Sequence, residues 1–127
     1  MDKSRLKECP RSPNCVSTQT KQKDKLMRAI TFSGEANVIA ESIKSIITKL
    51  PHTKLISEDN GALHFTFTSR FFRFVDDVHF IIDSDKKLIH FRSASRTGYS
   101  DLGANRKRMT EVSNLILAEI KETSYEK

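Results

Sequence analysis

The sequence predicts an α+β fold in two layers: a five-stranded antiparallel sheet covered on one face by two helices, in the order β-α-β-β-β-β-α. Two observations carry this expectation. Four short runs between residues 54 and 95 follow one another across turn signals, as strands do in antiparallel sheets. Two other segments each carry a single apolar stripe at helical spacing, so each has one face to bury, and one sheet face suits both. The 127 residues make one domain's worth of chain, and 37% hydrophobic residues in such patterns exclude general disorder. No run approaches the ~18 apolar residues of a membrane-spanning helix.

The elements follow in order. Residues 1–25 are polar, contain Pro10 and Pro13, and read as an irregular basic arm, solvated and mobile, whose proline-constrained Cys-Pro loop is expected to have a defined shape and to dock on the domain. Residues 26–127 read as a single α+β domain. Ala29–Phe32 alternates, with Ile30 and Phe32 on one face, and Ser33-Gly34 ends it. Residues 35–50 place Ile39, Ile43, Ile46, Ile47 and Leu50 on one helical stripe, with Ser33 as the expected N-cap and Pro51 blocking extension. Lys54–Glu58 leads to Asp59-Asn60-Gly61, a hairpin turn whose Asn-Gly pair tolerates positive φ. Ala62–Thr68, Val75–Asp83 and Leu88–Ser95 are the next three strands. Ala104–Lys121 carries Met109, Val112, Ile116 and Ile120 at helical spacing, with Ser100 or Asp101 as its cap.

The net charge of +6 suggests a polyanion partner until it is divided along the chain. Residues 1–28 hold eight Lys/Arg against three acids, a net of +5, which leaves +1 for residues 29–127. The basic excess therefore belongs to the arm, and nucleic acid is not the expected partner.

Period-two parity assigns faces. Leu63, Phe65 and Phe67 define the core side of their strand, so His64, Thr66 and Thr68 lie on the open side. Asp77 and His79 fall on the open side of the next strand, and His90 and Arg92 on that of the last, with Arg96 beyond. His64, Asp77, His79 and His90 are thus the weak candidates for a divalent cation. Their sequence spacing fixes no site, so no metal and no cofactor is expected. Asp76 falls on the core side, where a lone carboxylate costs several kcal/mol, so it requires a partner. Arg96, Arg106 and Arg108 are in reach, and Arg106, one turn before Met109, is the expected structural partner of Asp76.

The segment from Arg92 to Arg108 gathers four Arg, one Lys and several hydroxyl and amide side chains where a strand end leads into a helix start. Helix-start N–H groups with arginines beside them favour anions. The expected ligand-binding residues are Arg92, Ser93, Ser95, Arg96, Asn105 and Arg106, with Asp76, Asp77 and Asn14 around them. No P-loop, dinucleotide fingerprint or nucleophile elbow is present.

Cys9 and Cys15 flank Pro-Arg-Ser-Pro-Asn. Two thiols cannot complete a structural zinc site. A Cys9–Cys15 disulfide is expected only if the chain is exported. Met1–Glu8 shows no apolar signal-peptide core, so a cytoplasmic location and reduced thiols are expected.

Three motifs, Cys9-Pro-x-Ser-Pro-Asn-Cys-Val-Ser17, Phe74-Val-Asp-Asp-Val-x-Phe80 and Arg92-Ser-Ala-Ser-Arg-x-Gly-x-Ser-Asp-Leu-Gly-x-Asn-Arg-x-Arg108, resemble the family numbered 1499 among domains of unknown function. The resemblance spans about residues 9–120 and implies a bacterial and plastid-type family without an established activity. Many relatives carry an export signal or membrane segment before the cysteine motif. The resemblance supplies no catalytic residues, and it implies that the cysteine loop meets the Asp-Asp and Arg-Ser segments in space.

The expected function is a monomeric module binding a small anionic ligand, or a protein partner, at the junction of last strand and last helix. The alternatives are a hydrolase-like enzyme using Asp77 and His79, with or without a metal, and a nucleic-acid-binding domain. The last lacks an aromatic ladder on the open face.

Overall fold

The computed structural model describes residues 5–70 and 73–125. The first four residues of the arm, and residues 71, 72, 126 and 127, lie outside the described residues. The chain runs β1 (Cys15–Ser17), β2 (Ile30–Thr31), α1 (Ala36–Thr48), β3 (Thr53–Asp59), β4 (Ala62–Thr68), β5 (Val75–Asp83), β6 (Leu88–Ser95) and α2 (Ala104–Tyr125), with a 3-10 turn at Lys23–Lys25. The sheet order is β1-β6-β5-β4-β3, with β2 also on β6, and all named strand pairs are antiparallel. The fold is α+β, as the strand runs and helical stripes predict.

The hairpins form where the turn chemistry places them. Asn60 and Gly61 both adopt positive φ (47° and 86°), the twist that a two-residue hairpin turn requires. A Cβ at Gly61 would also approach the Ile82 carbonyl oxygen to 3.3 Å. Helix α1 starts differently from expectation. Glu35, not Ser33, occupies its N-cap position, and no side chain caps it. Gly34 takes φ +90°, which sets the turn between strand and helix after Ser33 rather than at it. Helix α2 starts under Asp101, whose carboxylate accepts the Gly103 and Asn105 N–H groups at 2.8 and 3.1 Å.

The core lies between the sheet and the two helices. Ile39, Ile43 and Ile47 of α1 and Met109, Val112 and Ile116 of α2 pack with Leu63, Phe65, Val78, Phe80, Ile89 and Phe91 of the sheet. Phe80 meets Phe65 and Phe91 edge-on, with ring centroids 5.9 and 6.4 Å apart.

The N-terminal segment departs from the irregular mobile arm. Residues 15–17 pair with Ala94, Ser93 and Arg92, and residues 30–31 pair with Ile89 and Leu88. Together they form one interrupted edge strand along β6, from which residues 18–29 make an excursion. Lys25 fixes that excursion. It is buried, and its Nζ donates to the carbonyls of Pro10 (2.7 Å) and Arg11 (2.9 Å) and to the Gln22 side chain. Gln22 Nε2 donates in turn to the Cys9 carbonyl at 2.8 Å. Three residues are too few for a period to show in sequence, so this strand exists through its partner alone.

The expectation of reduced thiols is corrected as well. Cys9 and Cys15 form a disulfide, buried against Ala94. The Lys25 clamp folds the Pro-rich loop back, and β1 pairing anchors its other end, so the two sulfurs meet.

Candidate functional site

The expected ligand set is divided between two faces of the sheet. Ser93, Ser95, Asp76, Asn14 and Asn105 belong to the helix side. Asn105 is fully buried, and its Nδ2 donates to Asp101 (2.6 Å), Ser95 Oγ (3.0 Å) and the Asn14 carbonyl (3.2 Å). Its Oδ1 accepts from Ser93 Oγ and from Arg108 Nη1. Asn14 Nδ2 donates to the Gly98 carbonyl at 2.6 Å. The network knots three chain segments together and leaves its polar groups satisfied.

Asp76 pairs with Arg108, not Arg106: Nη1 to Oδ2 is 2.7 Å. The Arg108 guanidinium also sits 5.0 Å over the Phe67 ring. The physical reason is where the buried stripe of α2 starts. It begins at Asn105, one turn before Met109, and Arg108 follows Asn105 by three residues on the flank that faces Asp76. Arg106 lies on the other flank, exposed, and donates to the Asp24 carbonyl at 2.7 Å.

The open face holds the remaining residues. Register aligns Ser57, His64, His79, Arg92 and Ser17 in one row across five strands. The His64 and His79 rings stack, with centroids 4.1 Å apart and planes 13° apart. His64 Nε2 lies 2.7 Å from Asp77 Oδ1, and Arg96 clamps the same carboxylate from Nε (2.8 Å) and Nη2 (3.0 Å). The Arg96 and His64 hydrogen bonds hold Asp77 down at a pKa of about 2, against a smaller opposing effect of burial. Burial, with the adjacent His64, takes His79 to about 4, so its ring is neutral at pH 7. His90 stands apart, one row away, with its Nδ1 2.9 Å from Thr18 Oγ1. The four candidate metal ligands are therefore divided, and among the described residues no group of three His, Cys, Asp or Glu is placed to hold a metal ion.

A groove of about 460 Å³ lies over this row, between β3–β6 and the N-terminal segment. Arg92, His64, His79 and Ser57 line it from the sheet, Leu6, Ala62 and Ile81 give it apolar surface, and Arg5 and Lys7 close it from above, with Asp59 on the rim. Two polar atoms of residues that line it, His79 Nδ1 and Arg92 Nε, are buried without a hydrogen-bond partner. Burial also lowers the pKa of Arg92, which still remains a cation at pH 7. Arg5, Lys7 and Ser57 were not legible as site residues. Parity places Arg92 and His79 side by side, but nothing local shows that residues 5–7 fold over them.

The His64–Asp77 pair has the geometry of a base held by its orienting carboxylate. No serine, threonine or cysteine hydroxyl or thiol among the described residues is hydrogen-bonded to it, so the arrangement lacks a prepared nucleophile.

No helix among the described residues is long and apolar enough to cross a membrane. Comparison with curated proteins and with solved structures finds no match. Residues 5–116 match the family described as "Protein of unknown function (DUF1499)". That span takes in the cysteine loop, the Asp-Asp strand and the arginine-rich junction, and the chain belongs to this family.

Proposed function

We propose that the protein is a binding module for a small organic anion, with its site in the open-face groove rather than at the strand–helix junction. The observation that carries this reading is a pair of buried, unpartnered polar atoms, His79 Nδ1 and Arg92 Nε, on two paired residues whose side chains line one groove. A buried polar group without a partner costs about 1–3 kcal/mol, and an anion oxygen would satisfy both neighbours. Arg5 and Lys7 add positive charge at the mouth, and Leu6, Ala62 and Ile81 suit a short apolar portion. The junction is the weaker candidate because its groups already bond to one another.

The test is an NMR titration with inorganic phosphate and, separately, octanoate, which distinguishes a bare anion from one with an apolar tail. Amide shifts are expected on residues 5–7, 62–64, 79–81 and 92. Arg92→Gln should weaken binding by about tenfold or more, as a lost charge-assisted hydrogen bond does. Shifts confined to residues 93–108, or binding indifferent to Arg92→Gln, would overturn the assignment.

The Cys9–Cys15 disulfide supports an oxidising compartment for this module over the cytoplasm.

A further inference from the structure

We propose a second surface: the end of the sheet where residues 73–74, just before β5, meet residues 96–103, after β6, docks the protein on an anionic lipid bilayer. The three most exposed large hydrophobic side chains among the described residues all lie there, Leu102 at 96%, Tyr99 at 74% and Phe74 at 56%. The other exposed apolar side chains reach only 45–46% and are scattered over helices and strands. Two bonds hold these loops to one end of the fold. Arg96 N donates to the Val75 carbonyl at 3.0 Å, and Asn14 Nδ2 to that of Gly98.

The backbone adds an independent observation. Leu102 has φ +54°, a left-handed conformation that bulky residues rarely adopt. Asn60, Arg73 and Lys87 also take positive φ, but in loops between hairpin strands, where such values are ordinary, and His52 does so just before β3. At Leu102 the conformation serves no hairpin, and it presents an apolar side chain almost wholly to water. Strain kept at an exposed apolar tip points to an occupant.

Charge selects which occupant. Arg11, Lys49, Arg73 and Lys107 are exposed around this end and outnumber the exposed Glu111, while Asp76, Asp77 and Asp101 are engaged by Arg108, by Arg96 and at the start of α2. The opposite end carries Glu35, Asp59, Asp83 and Asp85 against Lys86, Lys87 and the groove's Arg5. The fold is therefore polarised, with its cations behind its apolar tips. A leucine and two aromatic rings ahead of a basic collar is the arrangement of an interfacial anchor on anionic lipid. Nucleic-acid stacking would require a flat ring where Leu102 stands.

The chain contains no tryptophan, so Leu102→Trp supplies a single reporter. It is mixed with phosphatidylcholine vesicles, with and without about 30 mol% phosphatidylglycerol, and the wild type is co-sedimented with the same vesicles. Association and a blue-shifted emission are expected only with the anionic vesicles, and both should fall with added salt. The double variant Tyr99→Ser, Leu102→Ser should lose about tenfold in partitioning, and Arg73→Glu at least about fivefold. Vesicle association should be the same with and without saturating octanoate, which keeps this surface separable from the groove. No association with the anionic vesicles, equal association with neutral ones, or indifference to the double variant would overturn the proposal. So would binding to an oligonucleotide or an acidic peptide in place of vesicles.

Discussion

Removing the Asp76 carboxylate is expected to cost about 3 kcal/mol of stability. Asp76 is 7% exposed, and its partner Arg108 keeps 19% of its side chain accessible. Breaking a fully buried ion pair costs about 3–5 kcal/mol because the surviving charge is left without compensation. The residual exposure of Arg108, and its remaining bonds to Asn105 and Ser93, hold the figure to the low end. With a urea m-value of about 2 kcal/mol/M for a chain of this size, Asp76→Ala should move the midpoint down by about 1.5 M. Asp76→Asn, which keeps an acceptor for Arg108 and removes only charge, should cost roughly half as much. A double-mutant cycle then identifies the partner. Asp76→Ala with Arg108→Met should show a coupling of about 2 kcal/mol, and with Arg106→Met less than about 0.5 kcal/mol. Coupling to Arg106 as large as that to Arg108, or a loss under about 1 kcal/mol for Asp76→Ala, would refute the pairing.

Three further expectations concern the N-terminal segment and the open face. Lys25→Met should cost about 2 kcal/mol, since it strips two backbone carbonyls and Gln22 of a charged donor; amide exchange should quicken first in residues 9–17, and uniform loss of protection would count against a local clamp. Opening the Cys9–Cys15 loop by Cys→Ser at both positions should cost about 2 kcal/mol from restored loop entropy; rapid alkylation of two thiols in the native, unreduced protein would contradict the disulfide. Acid should destabilise the fold in two steps. His79 is held near 4 by burial, so the unfolded chain binds a proton first, and stability falls as pH drops from about 6.5 to 4. Asp77 is held near 2, so its contribution is lost from about 4 downward. Urea melts of His79→Phe should show a flatter pH slope in the upper window, and Asp77→Asn in the lower; unchanged slopes would mean that neither group is perturbed.

How far each feature was legible in sequence follows from how local its cause is. The bounds of β4, β5 and β6 coincide with the period-two runs, because alternation is written residue by residue and turn signals close each run. Parity also placed Asp77, His79 and Arg92 on the open face, since a strand has no other way to orient them. Strand β1 had no such signal. Cys15-Val16-Ser17 has one apolar residue facing the core, and it becomes a strand only because β6 offers it an edge. Choosing between Arg106 and Arg108 failed for a related reason. Asn105 is polar, so it was not counted in the buried stripe, yet its burial decides which flank of α2 faces Asp76. The groove was half legible: its sheet wall follows from parity, and its N-terminal wall from a chain reversal held by Lys25 and the disulfide.

The two faces differ most in how completely their polar atoms are bonded, and this separates architecture from site. At the junction, a ligand could reach Asn105 or Arg108 only by displacing bonds that hold α2 on the sheet, so binding there would oppose folding. In the groove the situation is reversed. The unpartnered His79 Nδ1 and Arg92 Nε are a standing cost to the folded chain, and Asp77, held by Arg96 and His64, acts on Arg92 through its charge without a hydrogen bond to it. An anion that bridges the row would relieve the cost without breaking an existing bond. Binding and stability therefore rise together in the groove and would compete at the junction. The Asp77 clamp thus contributes to the site without touching a ligand: it commits that carboxylate's hydrogen bonds to Arg96 and His64 and leaves those of Arg92 unused.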